Sequence, residues 1–168
     1  MKHQVLASVI GASLFLGACD ATLQPVAQKT QLQVRESQSR LYDVSDLKLV
    51  MKALMNTLQD DNFIVQQANV DLGLLTAQKE VDIENPAESF FARTFSNRPE
   101  YKKNSITEAS ANISEFGKQV RVRINFRYKE LNNKGGVMRL TQIEDDRYYQ
   151  DFFAKVDKSL YLGKQKIQ

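Results

Sequence analysis

The sequence contains no tryptophan, and its only histidine and only cysteine are His3 and Cys19. The rest of the chain therefore offers neither an imidazole nor a thiol. Ser-His-Asp and Cys-His catalytic arrangements are excluded there, as are ordinary zinc sites. No disulfide can form within one chain. A strong charge of either sign is also missing. The formal net charge is +3 and falls to about +2 once Lys2 is removed, which gives no bulk field to steer the chain to nucleic acid. No apolar run is long enough to span a bilayer, which takes roughly 20 residues. The longest candidate is Val5 to Leu16.

The amino terminus has the three parts of an export signal: Lys2 and His3, the apolar run, then small Gly17 and Ala18 before Cys19. Leu16-Gly17-Ala18-Cys19 resembles a lipobox, so residues 1–18 are expected to be removed. Cys19 is expected to carry diacylglycerol and an N-acyl chain, with no other cofactor. Each buried acyl CH₂ contributes about 0.8 kcal/mol, and two or three chains hold a protein stably on a membrane. Asp20 follows the lipidated position. By resemblance to enteric sorting signals it leans toward the inner membrane, and the choice between inner and outer stays open. The expected location is the cell envelope, facing the periplasm.

Residues 19–38 read as the lipidated cysteine and a flexible tether, rich in Gln and interrupted by Pro25. Such a stretch has an end-to-end distance of about 25 Å. A single domain is expected over 39–163 and a tail over 164–168. Arg40 to Val44 reads as a strand and Ser45 as a helix N-cap. Leu47, Val50, Met51, Leu54, Met55 and Leu58 then recur at helical spacing. Phe63 to Ala68 and Leu72 to Ile83 read as strands. Ser105 to Ser114 and Lys118 to Lys129 alternate as a hairpin around Glu115–Lys118, and Val137 to Ile143 follows the turn at Asn132–Gly136. A last helix buries Tyr149, Phe152, Phe153, Val156 and Leu160 and is expected to stop before Gly163. The pattern predicts an α+β domain: an antiparallel sheet of five to six strands with two helices on one face.

Leu58-Gln59-Asp60-Asp61-Asn62-Phe63-Ile64, Leu72-Gly73-Leu74-Leu75-Thr76-Ala77-Gln78-Lys79, Tyr149-Gln150-Asp151-Phe152-Phe153 and Lys158-Ser159-Leu160-Tyr161-Leu162 together resemble a pattern in small uncharacterised proteobacterial lipoproteins. The topology is similar to the helix-grip domains of the outer-membrane assembly lipoprotein C. The resemblance covers about two thirds of the chain, implies fold and anchoring, and brings no catalytic residue. It departs from the pattern at Asn62, where Gly is usual; Asn tolerates the left-handed conformation that a helix end needs.

Three chemical signals are weak. Ser45-Asp46-Leu47-Lys48 matches S-x-x-K, without the K-T-G strand that penicillin-interacting enzymes add. Asp60-Asp61 and Asp145-Asp146 sit at helix ends. Glu80, Asp82 and Glu84 alternate along a strand with too few oxygens for a fixed Ca²⁺ site. No enzyme is expected.

Two surfaces stand out. Arg121, Arg123, Arg127 and Lys129 share the strand face away from the helices. Pairing Ile113 with Val120, Ala111 with Val122 and Ala109 with Ile124 keeps the apolar phases aligned. With Met138 and Leu140 inward, Arg139 is expected outward beside Arg127, making a four-arginine patch for an anionic partner or for solvent. Residues 84–104 form a long interruption carrying Phe90, Phe91, Phe95 and Tyr101 among Arg93, Arg98, Lys102 and Lys103. Two readings are open: a mini-helix stapling Phe91 and Phe95 to the domain edge, or an aromatic and basic docking lobe. The expected function is a non-enzymatic, membrane-tethered binding or assembly module in an envelope protein complex. The alternative is a binder of lipid or anionic cell-wall polymer.

Overall fold

The computed structural model describes residues 29–165. The expected signal over 1–18, Cys19 and Asp20 lie outside the described residues, as does the end of the tail. Along the chain run α1 (Gln31–Ser37), β1 (Ser39–Tyr42), α2 (Leu47–Asp60), β2 (Ile64–Asn69), β3 (Leu74–Asp82), α3 (Pro86–Phe95), β4 (Lys102–Phe116), β5 (Gln119–Asn132), β6 (Val137–Gln142) and α4 (Asp146–Gln165). The fold is α+β, with one six-stranded antiparallel sheet in the order β1-β5-β4-β3-β2. β4 occupies one side of β5 along its length; β1 and β6 share the other side, at residues 120–123 and 127–131.

Alternation decides which sheet face is dry. Leu75 and Ala77, Ala109, Ala111 and Ile113, and Val120, Val122, Ile124 and Phe126 are buried under α2 and α4. The small alanines on the two central strands let the helices sit close, and Val50, Met51, Leu54, Leu58, Tyr149, Phe152, Phe153, Val156 and Leu160 fill the layer between. Fully burying such a side chain contributes about 1.5–3 kcal/mol. Phe126 is the aromatic centre. Its ring lies 5.0–5.9 Å from those of Phe63, Tyr148, Tyr149 and Phe152, within the range that edge-on aromatic pairs favour.

Helix ends and turns follow local chemistry. Asp46, not the expected Ser45, caps α2: its carboxylate accepts from the Leu49 N–H at 3.1 Å, the i+3 geometry of an N-cap. At the other end Asn62 takes φ 64°. The Phe63 N–H reaches back to the Leu58 carbonyl at 2.8 Å and the Asn62 N–H to Gln59 at 2.9 Å, the paired bonds of a Schellman ending. Gly73 also has a left-handed φ of 62°, and a Cβ there would lie 1.8 Å from the Ile113 carbonyl oxygen. Only glycine allows β4 to approach so closely.

Four expectations need correction. The β4–β5 register runs Phe116↔Gln119, Ile113↔Val122, Ala111↔Ile124 and Ala109↔Phe126. It is two residues from the expected pairing, because the turn is the two-residue Gly117-Lys118 with φ 65° at the glycine, the pattern of a type II′ turn. An even slip preserves the faces, so the apolar phases alone could not reveal it. The flexible stretch does not reach Gln38. Thr30 and Gln33 form a capping box, and α1 buries Val34 and Gln38 at 2% and 1% exposure. α4 runs through Gly163 rather than stopping before it; that residue lies against Leu49 of α2, so packing offsets a helix cost of about 1 kcal/mol. Finally, β6 is exposed along its whole length, Met138 and Leu140 included.

Candidate functional site

Among the described residues the outer sheet face is largely polar and carries no helix layer except at one edge. Between β1 and β6 the β5 edge has a gap, which α1 and α4 close. The Gln38 carbonyl accepts from the Ile124 N–H at 2.9 Å, and the Phe126 carbonyl accepts from the Ile143 N–H at 2.9 Å. The buried Tyr149 hydroxyl takes the Phe126 N–H at 3.3 Å, accepts from Gln38 Nε2 at 3.3 Å and donates to the Ile143 carbonyl at 2.8 Å. Burial pushes this hydroxyl's pKa up, so it stays protonated at neutral pH and keeps its donor. Lys29 fixes the start of α1 by pairing with Asp146 at 2.8 Å and donating to the Glu144 carbonyl at 2.8 Å. The bond from Lys29 to its carboxylate holds Asp146 below the usual carboxyl range.

With α1 in place, a cleft of about 390 Å³ opens on the outer face, lined by Val34, Arg35, Gln38, Glu108, Arg123 and Arg127 with neighbouring amides and Ser110. Asn125 separates Arg123 from Arg127 along β5. Arg127 approaches Glu108 at 3.1 Å, and Lys129 pairs with the same carboxylate. Among the described residues Glu108 Oε2 has no hydrogen-bond partner, so its contact with Arg127 is an ion pair. Arg35 and Arg123 have no carboxylate within 4.0 Å among the described residues.

The expected four-arginine patch is broken up. Arg121, opposite Ser114 and Leu41, lies with its guanidinium 4.0 Å above the Phe116 ring. Arg123 stands opposite Asn112 and Ser39, and Arg127 opposite Glu108 and Gln142. Arg139 is not beside Arg127. It pairs in register with Glu130 and lies 4.0 Å from that carboxylate. Glu130 follows Phe126 and Tyr128 on the helix-side face, so Arg139 is on the opposite face from the other three. The like-charge repulsion expected across the strands is absent because the register supplies neutral or acidic neighbours.

The interruption at 84–104 contains α3, and its three phenylalanines point outward. Phe90, Phe91 and Phe95 are 63%, 59% and 78% exposed, so the stapling reading is corrected. Ser89 and Tyr101 are the buried residues at this end. Arg93 binds back to the Tyr101 hydroxyl and to Glu84 at 3.2 Å, and Lys103 pairs with Glu84. The Lys103 hydrogen bond holds the Glu84 carboxyl below its usual range. α3 is thus fastened through polar side chains while its apolar face stays in solvent. Phe91 lies 6.0 Å from Phe90 and 5.9 Å from Phe95, nearly parallel to the latter.

The other chemical candidates are dispersed. Ser45 is exposed ahead of the α2 cap. Glu80 accepts from Asn104 at 2.5 Å, Asp82 lies 3.7 Å from Lys103, and Asp61 pairs with Lys155 at 2.5 Å. Among the described residues no group of three or more His, Cys, Asp or Glu side chains is placed to hold a metal. Val34, Arg35 and Gln38 were missed in the sequence because they sit in a Gln-rich stretch. The Thr30-x-x-Gln33 capping box was the available signal.

No protein-family model matches the chain, and no curated protein matches it. Among solved structures it is similar to a DUF4468 family protein from Bacteroides ovatus, at 7% identity and a TM-score of 0.39, covering 73% of this chain and 84% of that one. A likeness that distant carries no argument. None of these comparisons supports the resemblance to small proteobacterial lipoproteins or to the assembly lipoprotein. Among the described residues no helix is long and apolar enough to cross a membrane.

Proposed function

We propose that this chain is a lipid-anchored module of the bacterial cell envelope. It faces the periplasm and binds an acidic segment of a partner protein in the cleft beside α1, without catalysing a reaction. The observation that carries this reading is the pair Arg35 and Arg123. Both line the cleft, and neither has a carboxylate partner among the described residues. Guanidinium groups take carboxylates in a bidentate fork, and the surrounding Gln31, Gln38, Asn125 and Gln142 amides suit a peptide backbone. Glu108, which also lines the cleft and pairs with Arg127, disfavours a continuous polyanion, so a protein carboxylate fits better than an anionic cell-wall polymer. The lipobox residues ending at Cys19 support the anchor, and Asp20 favours retention in the inner membrane.

A photoreactive residue at Ser110, inside the cleft, tests this in intact cells. A discrete protein adduct is expected, lost at least tenfold in Arg35→Glu/Arg123→Glu, as reversal of close interfacial charges produces. Both sites are exposed, so folding should change by within about 0.5 kcal/mol. An adduct of equal yield in a folded double variant would show the arginines to be merely solvated.

A further inference from the structure

We infer that α3 is a membrane-surface contact: its phenylalanine face inserts into the headgroup region of the bilayer to which the chain is anchored. This rests on the lipid-anchor reading of Cys19 and adds a second contact site on a different part of the domain.

The helix is two-sided by construction. Asn85 caps it and Pro86 opens it; Ser89 is buried, its hydroxyl donating to the Pro86 carbonyl at 3.2 Å, and Arg93, four residues on, binds Tyr101 and Glu84. Helical spacing then places Phe90, Phe91 and Phe95 on the solvent side. Three adjoining exposed aromatic rings are an uncommon expense for a protein surface in water. Aromatic side chains on one face of a short helix, with cations at its border, are the composition of an interfacial contact.

Charge and reach select lipid as the occupant. Arg98 and Lys134 have no carboxylate within 4.0 Å among the described residues. They are brought to the same end of the sheet because Asn133 Nδ2 donates to the Pro99 carbonyl at 3.3 Å and the Asn133 N–H to Tyr101 at 3.0 Å. Of the carboxylates at this end, Glu84 is taken by Arg93 and Lys103, Glu130 by Lys102, and Glu100 accepts from Asn132 at 2.6 Å. Anionic headgroups complement the two cations. Lys29 is ten residue steps from Cys19, a span of at most about 35 Å. Lys29 is pinned at the start of α4, where Ile143 meets Phe126. α3 attaches near Asn132, six residues further along β5, about 20 Å away at strand rise. The anchor therefore holds α3 within reach of the same bilayer.

Because the chain has no tryptophan, Phe91→Trp introduces a single reporter. The full lipidated protein is reconstituted in vesicles of phosphatidylethanolamine and phosphatidylglycerol containing bromine-labelled acyl chains. Phe116→Trp, at the far end of the β4–β5 hairpin, is the control. We expect the indole at position 91 to emit further to the blue and to be quenched severalfold more than that at 116. Quenching should increase with the phosphatidylglycerol fraction and fall severalfold with Phe90→Ser/Phe95→Ser. If Phe91→Trp does not fold by circular dichroism, Phe95→Trp takes its place. Vesicle flotation separates the failures. A protein that floats with position 91 unquenched, or with 116 quenched instead, overturns the α3 contact and leaves the anchor standing. A protein that does not float overturns both. An indole that is red-shifted in vesicles and buried only in whole envelopes overturns the lipid contact in favour of a protein one.

Discussion

Gly73→Ala should be among the most damaging single substitutions in this domain, and Gly117→Ala should not. Both glycines have a positive φ, 62° and 65°, so alanine carries a conformational penalty at each, about 1–2 kcal/mol. Their surroundings differ. A Cβ at 73 would lie 1.8 Å from the Ile113 carbonyl oxygen, whereas a Cβ at 117 meets nothing within 4 Å. Relieving the clash means moving β4 backbone, and with it the Ile113 N–H that donates to the Gly73 carbonyl at 2.7 Å. Losing a buried pair of that kind adds about 1–3 kcal/mol. The expected totals are about 2–5 kcal/mol for Gly73→Ala and about 1–2 kcal/mol for Gly117→Ala. In melting temperature the former is a drop of roughly 6–20 °C for a domain of this size. Urea unfolding followed by circular dichroism reads the difference as a change of midpoint at constant slope. Equal midpoints for the two variants would refute the close approach as the reason for glycine at 73.

Asn62→Gly should raise stability by about 0.5 kcal/mol, read as a higher urea midpoint, since glycine takes the Schellman position without the steric cost that asparagine bears; a lower midpoint contradicts that account of the α2 ending. Tyr149→Phe should cost about 1–3 kcal/mol, because it leaves the Phe126 N–H and the Ile143 carbonyl without the hydroxyl that joins them. A thermal melt indistinguishable from wild type would mean the β5 gap is closed in another way. Val34→Ser should release α1, seen as faster amide exchange over residues 31–37 with α2 unchanged; unchanged exchange over 31–37 would show that the Thr30 cap and Lys29 hold it alone.

Most of the sheet and both core helices were legible in the sequence because burial there follows simple periods. Val120, Val122, Ile124 and Phe126 alternate strictly, and Val50, Met51, Leu54 and Leu58 follow the helical stripe. What escaped depends on quantities that periodicity does not carry. A two-residue register shift leaves every side chain on its expected face, so Gly117-Lys118 alone set the pairing. Arg139 changed faces because β6 sets it opposite Glu130, with a bulge between that pair and Leu131↔Val137, a register that no alternation pattern reports. α1 was hidden because one buried Val34 in a glutamine-rich stretch gives too little apolar signal, and its value lies in closing a gap that exists only in three dimensions. Phe90, Phe91 and Phe95 were noticed as residues, but their outward direction is set by Ser89, Arg93 and Tyr101 binding on the other side of α3.

The lipid anchor is tested most directly by the mass of the amino-terminal peptide of the protein purified from its membrane. The expected peptide begins at Cys19, with diacylglycerol on sulfur and an acyl chain on the amino group, and Cys19→Ser leaves an unprocessed or mislocalised chain. A mature protein that begins elsewhere, or that carries Cys19 unmodified, would contradict the anchor and remove the basis for a bilayer contact by α3.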